Sequence, residues 1–410
     1  MPPARSWGSS LRSTSCKQIA GTLLQRCIAG HPPKELPPAL LEEPCAEALF
    51  GILVEGLADR FEPALCDAYA RLFSQAIVCA SNDADPASLV ARYERVRRVR
   101  LIAGRPERIF VLSRVTLGAD VAVTSVLLSA ARRGFPRAEI TFVGPHKNFE
   151  LFSRDRRIHH ALLEYPRGGL RERLVVHEPL EALFAAPGAV VIDSDSRLTQ
   201  LGLLPVCSEE RYHLFESRGY GGASGRTLPD LAASWARETI GVFDAKPYVA
   251  MHRAKGVPLH GDPYVAVSLG VGENPTKRLP DPFEEQLLAL LAQQGKPLWI
   301  DKGAGGEEAQ RVERAVERSG VKANFWEGSF AGFAAIISGA SLYVGYDSAG
   351  QHVAAARGIP LISIFAGFPA PRMFERWRPE GPCATVIRVE RPDPREVLHQ
   401  VRAAFEPPVE

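Results

Sequence analysis

Four stretches of the chain bring acids, a lysine, hydroxyls and a histidine to the spacing that sugar and phosphate chemistry requires. In S-R-V-T-L-G-A-D (113–120) a strand ends, a turn at Gly118 follows and a helix begins near Asp120, so a carboxylate stands where a strand opens into a helix. A helix cap uses Asp in the same place to satisfy first-turn amides, and spacing alone leaves Asp120 as either a cap or a reacting group facing a cleft. In V-S-L-G-V-G-E-N-P-T-K-R-L-P (267–280) a strand meets a loop with Gly270 and Gly272, then the hydroxyl of Thr276 and the ammonium of Lys277. Small residues let a backbone approach a phosphate, and a cation just beyond neutralises it; glycines in such loops also serve as plain turn formers. In L-Y-V-G-Y-D-S-A-G-Q-H (342–352) a strand ends at Asp347 and a helix opens at Ser348, Ala349 and Gly350, with His352 one turn in. Those amides and the Ser348 hydroxyl suit a diphosphate at a helix N-terminus, although Asp347 and Ser348 also serve as caps and His352 as a polar-face residue. In D-S-D-S-R-L-T-Q-L-G (193–202), Asp193, Asp195 and Arg197 suit a polyhydroxyl acceptor or a capped loop. His146, His159 and His160 lack a carboxylate or cysteine at ligand spacing, so no metal is assigned.

Such loops work only if strands and helices aim them. From residue 108 short β-branched runs alternate with amphipathic segments, the pattern of βαβ units around parallel sheets. Strands are predicted at 108–113, 139–144 and 189–194, and in a second set at 264–270, 297–301, 341–347, 360–365 and 385–389. Between the sets, residues 243–263 hold three prolines, two glycines and no sustained periodicity, which predicts a linker. Ahead of both, residues 40–101 repeat apolar positions at three- and four-residue intervals and predict a small helical domain, while residues 1 to about 12 are expected to be unstructured. The reading is an α/β fold: a helical N-terminal extension (1–104), a first Rossmann-like domain (105–242), the linker and a second Rossmann-like domain (264–410).

Composition narrows the function classes. With 410 residues, 46% hydrophobic and 23% charged, the chain matches ordinary globular proteins of two or three domains. A net charge of +2, spread along the sequence, gives no basic track for nucleic acid. Seven cysteines, with no C-x-x-C pair, are read as free thiols of a reducing compartment. No signal-type apolar region and no membrane-length apolar run is found, which places the protein in the cytoplasm.

The ordered motifs resemble glycosyltransferase family 9, the lipopolysaccharide heptosyltransferases. Arg114, Gly118, Asp120 and the tail Phe135, Pro136, Ala138, Ile140 are similar to the family's opening motif, with the glycine displaced by one and Ala119 in its place. Lys277 and Pro280 match the opening of the family's second half, with Leu279 where an aromatic is usual. Asp347, Ser348, His352, Ala354, Ala355, Gly358 and Pro360 fall in step with its last signature, with Ala349 at a glycine place. The resemblance runs in patches over residues 108–389. It implies a GT-B fold, two Rossmann-like domains facing a cleft, and metal-independent inverting transfer without a cofactor. Asp120 would be the general base. Gly270, Thr276, Lys277, Glu327, Asp347, Ser348, Ala349, Gly350 and His352 would bind the nucleotide-sugar donor, with Glu327 on ribose or base, and Arg114 would meet the acceptor; Asp193, Asp195 and Arg197, outside the resemblance, are read from their own loop as further acceptor contacts. The donor implied is ADP-heptose and the acceptor an envelope glycan such as lipopolysaccharide core, with peripheral inner-membrane contact. A UDP- or GDP-sugar enzyme, a protein-glycosylating enzyme and a noncatalytic nucleotide-sugar-binding protein are the alternatives on the same fold.

Overall fold

The computed structural model describes residues 7–81, 85–252, 263–272, 274–303 and 305–405, with side chains from residue 14 onward. The chain forms two compact units. Unit 1 comprises residues 1–115, 130–146 and 159–245; unit 2 comprises 116–129, 147–158 and 246–410. The boundary between Ala245 and Lys246 falls inside the predicted linker, of which residues 253–262 lie outside the described residues. Two segments read from sequence as parts of the first half, Thr116–Ser129 and Lys147–Ile158, group with the second.

Unit 1 carries a five-stranded sheet in the order β3-β2-β1-β4-β5: β1 Arg108–Leu112, β2 Glu139–Gly144, β3 Ile158–Leu162, β4 Ala189–Asp193 and β5 Tyr212–Leu214. β1 pairs in parallel with β2 and β4, and its four inner residues are buried, as a central strand with both faces covered must be. The predicted helical extension does not close a core of its own. Leu53, Leu57, Tyr69, Phe73, Ile77 and Tyr93 share one apolar cluster with Phe110, Leu112, Val191 and Leu214 of the sheet. The long helix Pro63–Ser81 explains this sharing, because it buries ten residues over much of its circumference and needs partners on more than one side.

The first helix, Trp7–Ile28, begins inside the stretch expected to be unstructured. Pro2 and Pro3 lie ahead of it and the next proline is Pro32, so no proline interrupts it. Residues 1–6 lie outside the described residues. This helix packs on the turn Glu43–Cys45 and brings Cys16 and Cys45 into a disulfide, with Cα atoms 5.4 Å apart. That corrects the expectation of seven free thiols; Cys27, Cys66, Cys79, Cys207 and Cys383 remain free.

Unit 2 carries a six-stranded parallel sheet in the order β11-β10-β9-β6-β7-β8: β6 Val265–Ser268, β7 Leu298–Asp301, β8 Ala323–Trp326, β9 Leu342–Tyr346, β10 Leu361–Phe365 and β11 Ala384–Arg388. The sheet's inner residues and the helices Phe283–Ala292, Gly306–Ser319 and Pro394–Ala403 form its core. No helix among the described residues is long and apolar enough to cross a membrane.

The Cys16–Cys45 bridge closes a sequence separation of 29 residues, a constraint on the unfolded chain worth about 3–4 kcal/mol. Urea denaturation is expected to reach its unit 1 midpoint at lower urea after reduction, and the Cys16→Ser/Cys45→Ser double variant should behave like the reduced protein. Equal midpoints for the oxidised and reduced forms would show that the bridge does not stabilise the unit.

Candidate active site

In a parallel sheet the loops that leave neighbouring strands emerge at one end. β6 and β9 are neighbours, with Ser268 opposite Gly345, so the Lys277 loop and the Asp347 turn arise side by side. Lys277 Nζ donates to Asp347 Oδ2 at 2.6 Å and to the Asp347 carbonyl at 3.3 Å. The other carboxylate oxygen, Oδ1, accepts from Gln351 Nε2 at 2.5 Å, and Gln351 Oε1 accepts from Ser363 Oγ of β10. A lysine and an acid are thus fixed at the start of the helix Ala349–Arg357 by a chain of bonds rooted in the sheet.

That helix begins after Ser348, whose side chain makes no capping hydrogen bond. Gly350 has to be glycine, because a Cβ there would stand 2.3 Å from the Tyr343 hydroxyl. His352 is buried one turn in, and its ring lies 5.8 Å from that of Trp377. Burial lowers its pKa to about 4, against the pull of Asp347 and with the help of Lys277, so the imidazole is neutral at pH 7. Among the other predicted donor residues, Thr276 Oγ1 donates to Asn274 Oδ1 at 2.6 Å, and Gly270 lies beside the Glu308 carboxylate. Glu327 is exposed and accepts from Lys302 Nζ at 3.3 Å.

Asp120 belongs to the same compact unit. The helix Leu117–Ala119 starts after Thr116 and runs into a π-helical turn, Asp120–Thr124. The Asp120 amide donates to the Thr116 carbonyl at 3.0 Å, so Asp120 sits a turn inside the helix and is not its cap. Its carboxylate is buried; Oδ1 accepts from Thr124 Oγ1 at 2.6 Å and Oδ2 from Asn148 Nδ2 at 2.6 Å. A π-turn inside an α-helical run is a recurrent feature of functional sites. Gly118 presses on the helix Ala349–Arg357: a Cβ there would be 3.2 Å from Ala349 Cα and 3.2 Å from His352 Cδ2. The structure therefore brings Asp120, Lys277, Asp347, Ser348, Ala349, Gly350 and His352 together within unit 2.

The predicted acceptor residues are placed differently. Arg114 Nη1 donates to the Ser194 carbonyl at 2.6 Å and to Ser217 Oγ at 2.8 Å. Asp193 is fully buried, with Oδ2 accepting from Thr199 Oγ1 and Tyr212 OH, each at 2.5 Å, and Oδ1 from the Ser196 amide at 2.7 Å. Burial raises its pKa while these donors oppose the rise. Asp195 is also buried, its Oδ2 accepting from Arg218 Nε at 3.0 Å and Ser217 Oγ at 2.7 Å, and Arg197 turns to Glu55 at 3.2 Å. Asp193 and Asp195 are thus buried and hydrogen-bonded inside unit 1, as Asp120 is inside unit 2. Asn148 and Gln351 escaped the sequence reading. Gln351 follows Asp347 by four residues, a helical spacing that could have marked it; Asn148 is 28 residues from Asp120 and carries no local signal. Among the described residues no cluster of three or more His, Cys, Asp or Glu is arranged to hold a metal ion.

Comparison with known proteins places this geometry. The model of glycosyltransferase family 9 (heptosyltransferase) matches residues 213–402. Three solved structures are similar in fold. The family 9 glycosyl transferase of Veillonella parvula is 15% identical, with 74% of this chain and 91% of that one covered at a TM-score of 0.53. The E. coli heptosyltransferase WaaC with ADP is 17% identical, covering 72% and 99% at 0.52. The E. coli ADP-heptose lipopolysaccharide heptosyltransferase II is 19% identical, covering 72% and 98% at 0.50. These likenesses show a GT-B fold. No curated protein matches the chain by sequence.

The neutral His352 gives a pH test. An unfolded histidine protonates near 6.5 and the folded one only near 4, so between these values the unfolded state binds more protons and stability rises with pH. The contribution, on the order of a few kcal/mol, is fully present above about pH 6.5 and lost as pH falls towards 4. Urea unfolding at pH 7.5 and pH 5 should show a smaller pH difference in His352→Gln than in the native protein. An unchanged difference would rule out His352 as its source.

Proposed function

We propose, from the match of residues 213–402 to the glycosyltransferase family 9 (heptosyltransferase) model, that the chain transfers a heptose, with inversion, from an ADP-linked donor to a cell-envelope glycan such as lipopolysaccharide core. The observation that carries this reading is the packing of the Asp120 turn, through Gly118, onto the same helix start that holds Lys277 and Asp347. A carboxylate and a diphosphate cradle are then close together, and displacement at a single anomeric carbon requires its base and its leaving-group site to be close.

In this reaction Asp120 takes the proton of the acceptor hydroxyl as its oxygen bonds to the anomeric carbon. The bond from that carbon to the diphosphate breaks on the opposite face, and ADP leaves. The transition state is oxocarbenium-like, as in glycoside hydrolysis. Negative charge grows on the leaving phosphate, where Lys277 and the first amides of the helix Ala349–Arg357 stabilise it electrostatically, with no metal or cofactor assigned. Neutral His352 adds no charge of its own. Thr276, Gly270 and Glu327 complete the donor side, Glu327 towards ribose or base. An ADP-sugar donor places the reaction in the cytoplasm, with peripheral contact at the membrane that bears the glycan.

Calorimetry should show ADP bound in preference to UDP and GDP, with Lys277→Ala weakening ADP by roughly 10- to 100-fold, as loss of a charge-assisted bond predicts. Asp120→Asn should keep that affinity and lose about 100- to 10,000-fold in turnover of ADP-heptose. Preference for UDP or GDP would redirect the donor assignment, and binding of no nucleotide would favour a noncatalytic role.

A further inference from the structure

Asp120 is anchored by a side chain from a distant part of the chain. Asn148 lies on the short helix His146–Phe149 after β2, is fully buried, and directs its amide nitrogen at Asp120 Oδ2 from 2.6 Å. In this orientation the amide nitrogen donates, which suits the ionised carboxylate, a group that only accepts. Thr124 answers the other carboxylate oxygen from one helical turn away, a local contact that moves with the turn itself. Asn148 differs because it ties the π-helical turn to a separate element.

The far end of the asparagine is informative too. Its Oδ1 is buried and has no hydrogen-bond partner among the described residues. An orphaned acceptor costs about 1–3 kcal/mol, which an apolar side chain at position 148 would avoid. Among the described residues the bond from Nδ2 to Asp120 is the side-chain hydrogen bond that an asparagine makes there.

We propose that Asn148 is a positioning residue for Asp120: its N–H fixes the carboxylate in one rotamer and stabilises its ionised, proton-accepting form. This rests on the reading of Asp120 as the general base. Burial alone favours the protonated acid, and hydrogen bonds donated to a carboxylate favour the anion. Removing the Asn148 donor shifts the balance towards the protonated form, which cannot accept the hydroxyl proton.

The test is a titration of Asp120 by carbon NMR on protein with labelled aspartate carboxyls, its signal assigned by its loss in Asp120→Asn. In Asn148→Ala the carboxyl pKa should rise by about one unit, a tenfold loss of ionised fraction at a given pH in the titrating range. Asn148→Asp keeps the shape of the side chain and serves if the alanine variant does not fold; there two adjacent carboxyls should titrate in separate steps, with the upper one displaced upward. The acid limb of kcat/KM for ADP release from ADP-heptose should move with the titration while the donor KM stays constant. A carboxyl pKa unchanged in both folded variants overturns the proposal. Turnover retained by Asp120→Asn overturns the base reading and with it the assigned role, whatever the titration shows.

Discussion

The side chain of Arg218 is 2% exposed, and a charge so placed is costly unless carboxylates and hydrogen bonds answer it. Asp195 meets its Nε at 3.0 Å and Glu216 lies 3.5 Å from the same nitrogen, while Nη2 donates to the Tyr93 hydroxyl and the Leu201 carbonyl, each at 3.2 Å. Two buried acids beside one guanidinium are themselves strained, and burial raises the pKa of Glu216 to about 7 although Arg218 opposes the rise. Much of unit 1 follows from this pairing. Asp195 also accepts from Ser217, which in turn accepts from Arg114, so the guanidinium of the opening motif is held at one remove by the buried pair. The helical segment supplies the remaining donors: Tyr69 OH to the Gln200 carbonyl at 2.9 Å and Arg92 Nη1 to the Gly202 carbonyl at 3.0 Å. Asp195, Gln200 and Leu201 all adopt positive φ, at 70°, 50° and 56°, conformations that cost non-glycine residues of order 1 kcal/mol or more each. The first hundred residues thus do more than cover an apolar face, since they hold a strained loop at the end of β4 in place.

All the strands predicted from sequence are present, and the three that were missed share a cause. β3, β5 and β8 lie at sheet edges. An interior parallel strand is covered on both faces and reads as a continuous apolar run, as in I-F-V-L or L-I-S-I-F; an edge strand is free of that demand. β3 contains two histidines, β5 is three residues long, and β8 leaves Asn324 and Phe325 exposed. The amphipathic spacing of the helical segment was equally plain, but not what would cover it. Periodicity shows that a face must be buried and is silent about the partner, here the strands of unit 1.

The candidate site shows the same division at the level of single residues. Asp120, Asp193, Asp195 and Asp347 look alike in sequence, each an acid close behind an apolar strand. Their roles diverge through partners that lie 19 to 70 residues away: Tyr212 for Asp193, Arg218 for Asp195, Asn148 for Asp120 and Lys277 for Asp347. Local spacing carries no trace of those partners, and so it could not separate a caged structural acid from one set beside a helix N-terminus. The motifs that resemble the family single out Asp120 and Asp347 by their order over residues 108–389, whereas the D-S-D-S-R loop was read on its own residues alone.

The displaced glycine is where sequence and packing meet most closely. Ala119, standing where the resemblance would put glycine, is buried, and it is Gly118 that makes the close approach to Ala349 Cα. A Cβ at position 118 would come within 3.2 Å of a backbone atom, which a neighbouring helix can relieve only by moving. Glycine at 118 makes the contact without that shift, and a displacement of one position along the turn puts it there. Because the Asp120 turn groups with unit 2 and not with the sheet that precedes it in sequence, this contact fixes the carboxylate relative to Lys277 and the helix start within a single body. The alanine at 119 thus leaves the close approach intact, and the spacing between the Asp120 carboxylate and the start of the helix Ala349–Arg357 depends on the fit of Gly118 against that helix.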